Sequence, residues 1–199
     1  MSGIDERIIL WINDLVGKSS VLDRIMIWLA SDYFIPVTIS LILLAIWFLG
    51  QGAAERENYQ RAVICAFITI GFASGFVLAA NHIYSHEHPF EALPDLKAAA
   101  TQIFYEIHDP AFPSNTAAVT FSAAAGLWQK SRKLGYLMLI PAVLMPLSKI
   151  YAAIYWPSDI VAGAVLAILT SFLISWVVMP LAEPMIGRFI KITRKLCLA

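Results

Sequence analysis

Residues Ser148 to Asp159 have the sequence SKIYAAIYWPSD and lie directly between two long apolar runs. This short stretch contains a lysine, an aspartate, serines, tyrosines and a tryptophan. Polar groups at a membrane boundary cost free energy unless other groups satisfy them, so such a cluster is a candidate functional site. The flanking runs predict neighbouring transmembrane helices, and the stretch predicts a site where these helices meet.

The composition predicts that the rest of the chain is also in a membrane. Of the 199 residues, 59% are hydrophobic and 14% are charged, and the mean hydropathy is +0.72. A soluble domain has about 25% charged residues. We therefore expect a single membrane-embedded domain over residues 1–199. Its predicted fold is all-α, a polytopic bundle of about five to six transmembrane helices with a short N-terminal amphipathic helix.

Charge and cysteine content exclude several other classes of protein. The formal net charge is zero, so no overall field favours a nucleic-acid partner. Cys65 and Cys197 are too few for a disulfide framework, and no spacing resembles a zinc site. We expect no cofactor. Charged residues precede the first apolar ones and no cleavage site follows, so we expect no signal peptide.

Apolar runs and their breaks predict the helices in order. An amphipathic helix over 4–16 is expected to lie along the bilayer surface. A helix over 21–31, capped by Ser20, is too short to span a bilayer by itself. This helix and the apolar run over 34–50 are either two separate helices or the two halves of one broken span. A charged turn over 51–60 precedes the remaining predicted spans, which are 61–80, 116–129, 134–154 and 158–181.

The distribution of basic residues predicts the orientation. The segments 51–60 and 130–133 and the C-terminal tail are rich in lysine and arginine, whereas 81–115 and 149–158 hold only Lys97 and Lys149. Basic loops stay preferentially on the cytoplasmic side. The C-terminus is therefore predicted to be cytoplasmic, and the polar segments are predicted to face outside.

The outward-facing part contains residue types that catalysis uses, in separate segments. Residues 81–90 have the sequence NHIYSHEHPF, and residues 109–116 have the sequence DPAFPSNT and open a helix. The stretch Ser148 to Asp159 is the last of these segments.

The order and spacing of these segments resemble the motifs of the type-2 phosphatidic acid phosphatase superfamily of membrane lipid phosphatases. The undecaprenyl-diphosphatase branch is the most similar, through SVLD at 20–23, FPS at 112–114 and WPSD at 156–159. The resemblance implies a helical bundle in a prokaryotic cell membrane and a phosphorylated lipid as partner. It also implies a metal-free reaction in which one histidine attacks phosphorus and a second protonates the leaving oxygen.

The resemblance also implies which residues bind phosphate. In the family, cationic side chains and a helix N-terminus hold the phosphate oxygens. Two serines are retained, the family glycine falls on an asparagine, and the three family cations fall on an asparagine, a histidine and a lysine. These phosphate-binding positions are Asn81, His88, Ser114, Asn115, Ser148 and Lys149.

The catalytic positions depart furthest from the family pattern. The acid histidine falls on Thr116 and the nucleophilic histidine on Tyr155, whereas the orienting Asp159 is retained. Threonine cannot donate a proton near neutral pH, and a tyrosine phenol, with a pKa of about 10, is a poor nucleophile. Losing a nucleophile commonly costs about 10⁴–10⁶-fold in rate. We therefore expect little of the family reaction.

Simpler roles remain open for several of these residues. Asn115 and Thr116 could only cap a helix, and Asp159 could only stabilise a helix N-terminus. Tyr155 and Trp156 occupy positions where interfacial aromatic residues are common.

The histidines allow further hypotheses. His82 and His86 share a helical face if the preceding helix continues. One hypothesis is a divalent metal site, another is that His88 or His108 replaces a lost catalytic group, and the simplest is a solvated, pH-sensitive loop. We expect no metal. The residues that such a site would draw on are His82, His86, His88 and His108.

Three functions follow from the sequence. The leading prediction is a catalytically degenerate protein that binds a phosphorylated polyprenyl or glycerolipid headgroup, or a partner membrane protein, without efficient hydrolysis. The alternatives are an active undecaprenyl-diphosphate or phosphatidate phosphatase with substituted catalytic groups, and a structural subunit of a larger membrane complex.

Overall fold

The computed structural model describes residues 3–84, 86–93, 96 and 110–196. The regular elements in this part of the chain are helices. They are α1 (Gly3–Asn13), α2 (Ser20–Ala30), α3 (Phe34–Phe48), α4 (Ala53–Ile83), α5 (Pro89–Ala92), α6 (Asn115–Trp128), α7 (Arg132–Tyr151), α8 (Pro157–Leu173), a π-helical segment (Ile174–Val178) and α9 (Met179–Lys195).

Several helix boundaries differ from the predicted ones. Ser19, and not Ser20, caps α2 by accepting a hydrogen bond from the Leu22 N–H. The segment predicted as a charged turn over 51–60 is mostly the first part of α4. Its charges pair within and between helices, since Arg61 bonds Glu57 at 2.8 Å and Glu183 at 2.5 Å. Glu183 belongs to α9, which continues as a helix beyond the predicted end of the last span at 181.

The α6 helix forms the centre of the bundle and packs against α4, α7 and α8. Its alanines and glycine allow close helix contact. A Cβ added to Gly126 would lie 2.5 Å from the Cα of Ala66 on α4. With 14 residues, α6 is about 21 Å long, which is shorter than the roughly 30 Å core of a bilayer. As a regular helix it is therefore shorter than the hydrocarbon core, and α4, α7 and α8 surround it.

The apolar helices make the protein an integral membrane protein, with fewer candidate spans than the predicted five to six. Among the described residues, three helices are long and apolar enough to cross a membrane, and a fourth span results if α2 and α3, bent by 61°, count together. The predicted third span is the short α6, and α8 continues through the π-helical segment into α9.

The antiparallel packing of α4 and α6 separates the polar segments from the basic ones. Ala73 and Val77 pack against Ala118 near one end, and Ala66 meets Gly126 toward the other. The first end holds the candidate site. At the site end α1 is tied to α8, because the Ser158 N–H donates to the Asp5 carboxylate at 3.1 Å. The sidedness of the membrane and the surface position of α1 remain predictions.

Candidate functional site

A buried turn between α7 and α8 organises the site. The chain leaves α7 after Tyr151, passes Ala153 at a φ of 57°, and enters α8 at Pro157. The Ile154 N–H donates to the Lys149 carbonyl at 2.9 Å and closes this turn. Residues 152–156 are all buried. Residues Ser148 to Asp159 thus form a mostly buried corner of the bundle.

Asp159 is the most constrained polar residue of this corner. Its side chain is fully buried, and one carboxylate oxygen accepts the Trp156 N–H at 3.1 Å, which caps α8. Its backbone carbonyl accepts the Ser114 N–H at 3.1 Å and thereby joins α8 to the start of α6. Asp159 therefore stabilises the N-terminus of α8, as predicted, and its other carboxylate oxygen makes a further contact.

That further contact is a histidine that the sequence did not assign to this position. The Nδ1 of His86 lies 3.2 Å from the second carboxylate oxygen of Asp159. The sequence predicted His86 only as a metal-site candidate. The two residues are 73 positions apart, and no sequence pattern links them. The family carboxylate orients a histidine at the position of Tyr155, whereas in this chain it contacts His86.

The segment before α6 holds His86 in place. The Ala111 N–H donates to the His86 carbonyl at 2.9 Å. The imidazole lies between aromatic rings, with centroid distances of 6.4 Å to Phe112 and 6.3 Å to Trp156. Its side chain is 21% exposed. Backbone, ring and carboxylate contacts together fix the orientation of the imidazole.

His88 lies beside the pair formed by His86 and Asp159. It is buried, and its Nδ1 is within hydrogen-bond distance of the Ile154 carbonyl. Its ring stacks on Phe90 and meets the Tyr155 ring edge-on, with centroids 5.7 Å apart. The residues at the family's arginine and nucleophile positions therefore pack against each other.

The start of α6 lies next to Asp159. Ser114 is fully buried, and its hydroxyl caps the helix by accepting the Ala117 N–H at 3.3 Å. Asn115 is exposed and Thr116 half-buried. The first N–H groups of a helix have no partner within it and favour anions. Ser114 caps this helix in place of the predicted Asn115 and Thr116, which are its first two residues.

Lys149 is buried and paired. Its ammonium group lies 2.6 Å from the Asp32 carboxylate, at the bend between α2 and α3. The lysine side chain is 2% exposed, whereas that of Asp32 is 46% exposed. Ser148 donates its hydroxyl to the Met145 carbonyl at 2.7 Å. Lys149 and Ser148, which occupy phosphate-binding positions of the family, therefore both make contacts within the protein.

The remaining polar candidates lie at or after the end of α4. Asn81 has a buried side-chain oxygen that accepts no hydrogen bond from the described residues. His82 is exposed and bonds the Leu78 carbonyl. Because α4 ends at Ile83, His82 and His86 do not share a helical face. In the described part of the chain no group of three metal-ligating side chains is close enough to hold an ion, and His108 lies outside it.

The sequence model of the PAP2 superfamily matches residues 62–182, which include the whole site. The chain is 30% identical to undecaprenyl-diphosphatase BcrC of Bacillus subtilis (strain 168) over 162 residues, covering 81% of this chain and 78% of that protein. It is 28% identical to bacitracin transport permease protein BcrC of Bacillus licheniformis over 166 residues, covering 83% and 76%.

A solved structure has the same fold. The crystal structure of a transmembrane PAP2-type phosphatidylglycerolphosphate phosphatase from Bacillus subtilis superimposes with a TM-score of 0.55. The match covers 87% of this chain and 85% of that chain at 16% identity. At this identity the likeness supports the helical architecture alone.

Proposed function

The chain belongs to the PAP2 superfamily, and from this premise we propose that it binds the phosphate headgroup of a membrane lipid at the start of α6. The two-histidine hydrolysis of the family does not operate, because Thr116 and Tyr155 replace the family acid and nucleophile. The proposed ligand class is a polyprenyl phosphate or diphosphate, in line with the undecaprenyl-diphosphatase among the relatives.

The contact between Ser114 and Asp159 carries this proposal. It brings the first turn of α6, with its N–H groups, to the corner that holds the retained family carboxylate. Lys149 supplies a positive charge from the last turn of α7. A helix N-terminus and a lysine are groups that bind phosphate in proteins. The site therefore keeps groups that attract an anion after losing those that cut the substrate at the family positions.

We expect Lys149→Met to weaken lipid-phosphate binding by about tenfold or more, because a hydrogen bond to a charged group contributes about 1.5–3 kcal/mol. Methionine has a similar length, so the buried position stays filled. The measurement is calorimetric titration of the purified chain in detergent with farnesyl methylenediphosphonate, a diphosphate analogue that cannot be cleaved at its bridge.

The matched control for this titration is Lys133→Met, which removes an exposed lysine at the opposite end of the bundle. Equal binding by Lys149→Met and the wild-type chain would contradict the proposal. Absence of binding by the wild-type chain, together with stoichiometric copurification of another membrane protein, would instead favour the structural-subunit hypothesis.

Asp32→Asn is expected to tighten binding of the same analogue by about fivefold. The Asp32 carboxylate competes with a phosphate for the charge of Lys149. Because Asp32 is partly exposed, removing its charge is worth about 1 kcal/mol. The control is Asp14→Asn, an exposed carboxylate whose loss changes the net charge equally. Equal tightening in both variants would show a general charge effect and no specific competition at Lys149.

A further inference from the structure

We propose that His86, oriented by Asp159, is the nucleophile of a phosphoryl transfer that cleaves lipid diphosphates and spares lipid monophosphates. The inference rests on the proposed function, because the lipid phosphate must first bind at the start of α6. It goes beyond binding by assigning a reaction, a nucleophile and a substrate class to the same site.

The geometry of the dyad supports nucleophilic chemistry. Asp159 is fully buried, whereas the His86 side chain is 21% exposed, and Nδ1 lies 3.2 Å from the carboxylate. When Nδ1–H donates to a carboxylate, the tautomer is fixed and Nε2 keeps its lone pair. A nucleophile oriented by a buried carboxylate is a recurrent arrangement in covalent catalysis. His86 thus presents a nitrogen lone pair that can act as a nucleophile, which the protonated phenol of Tyr155 does not.

The position of His86 relative to α6 supports the same role. The loop that precedes α6 binds the His86 backbone through the Ala111 N–H. Asp159 contacts His86 with its side chain and Ser114 with its carbonyl. The imidazole is therefore tied to the segment that leads into α6 and, through Asp159, to Ser114, the cap of α6. We therefore expect a phosphate held by the first turn of α6 to lie next to this imidazole.

The transfer balances without any further reactant except water. The Nε2 lone pair forms a bond to the terminal phosphorus while the bond from that phosphorus to the bridging oxygen breaks. The bridging oxygen leaves with the electron pair as part of a lipid monophosphate. Water then attacks the phosphorus, the electron pair of the N–P bond returns to Nε2, and phosphate departs with the oxygen of water while a proton passes to solvent.

Thr116 explains the restriction to diphosphates. The leaving group of a diphosphate is a phosphate oxygen with a pKa of about 6, which needs no proton at neutral pH. The leaving group of a monophosphate is an alkoxide, which is far more basic than a phosphate oxygen. Such a leaving group needs a general acid. Threonine at this position cannot act as one.

The test measures phosphate release by the purified full chain in detergent from farnesyl diphosphate and farnesyl monophosphate. We expect release from the diphosphate to be at least about a hundredfold faster. His86→Gln should lower this rate at least about a hundredfold. His82→Gln is the matched control, because His82 is exposed on α4 and bonds only its own helix among the described residues; this variant should cleave at the wild-type rate.

Asp159→Asn tests the positioning role. Asparagine can still accept the Trp156 N–H and keep the cap of α8, but it does not fix the same histidine tautomer. We expect kcat to fall at least about tenfold while KM stays near the wild-type value. A fall in binding with kcat unchanged would overturn the positioning role.

Trapping the intermediate gives a readout that does not depend on the folding of a variant. Wild-type protein incubated with diphosphate labelled at the terminal phosphate and quenched in alkali should carry the label on His86 itself. Label on another residue, or full activity of His86→Gln, would overturn the inference. Binding of farnesyl methylenediphosphonate without any phosphate release would overturn it and leave the proposed function intact, whereas loss of binding itself would overturn both.

Discussion

Thr116→His is expected to raise phosphate release from farnesyl monophosphate by about 10²–10⁴-fold, the usual contribution of a positioned general acid. The substitution returns an imidazole to the second residue of α6, two positions after the buried Ser114. The imidazolium can protonate the alkoxide that leaves from a monophosphate. Release from farnesyl diphosphate should change little, because its leaving group needs no proton.

The matched control for this substitution is Thr116→Gln, which has a similar size and can donate hydrogen bonds but no proton. A rise with glutamine equal to the rise with histidine would show that better binding, and not acid catalysis, caused the gain. Combining Thr116→His with His86→Gln should remove the gain. If the folded Thr116→His protein leaves monophosphate untouched, the missing acid does not explain the substrate restriction.

Gly163→Ala is expected to destabilise the protein by about 1–3 kcal/mol, as overpacking a well-filled contact does. A Cβ at Gly163 would collide with the Ser114 carbonyl and lie 3.0 Å from the Cβ of Ala117. The first of these contacts involves backbone, which cannot move aside as a side chain can. Alanine is the better helix former by about 1 kcal/mol, so a measured loss comes from the collision.

The measurement for Gly163→Ala is the thermal unfolding midpoint in detergent, which should fall by about 2–12 °C. Binding of farnesyl methylenediphosphonate should fall as well, because α8 must move away from α6 and weaken the bond between the Ser114 N–H and the Asp159 carbonyl. The control is Gly75→Ala on α4, where a Cβ would meet open space. An unchanged thermal unfolding midpoint in Gly163→Ala would mean that α6 and α8 are not in close contact at Gly163.

The local sequence predicted the helices well where apolar runs are long and uninterrupted. The predictions for α3, α6 and α7 lie within a few residues of the observed bounds. The predictions failed where charges were taken as breaks, at the start of α4 and in α9. Glutamate, lysine and arginine form helices readily, and Arg61 pairs with Glu57 on its own helix and with Glu183 on α9. Such pairing depends on tertiary contacts.

Sequence by itself determined that this protein is a helical membrane protein of the superfamily, and that Thr116 and Tyr155 occupy the family's catalytic positions. Those properties follow from residue types and from spacing along one chain. Only the tertiary structure decided that His86 reaches Asp159 and that Lys149 meets Asp32. Each pair joins residues from separate helices or loops, so the packing of α2, α6, α7 and α8 sets its distance and no local pattern encodes it.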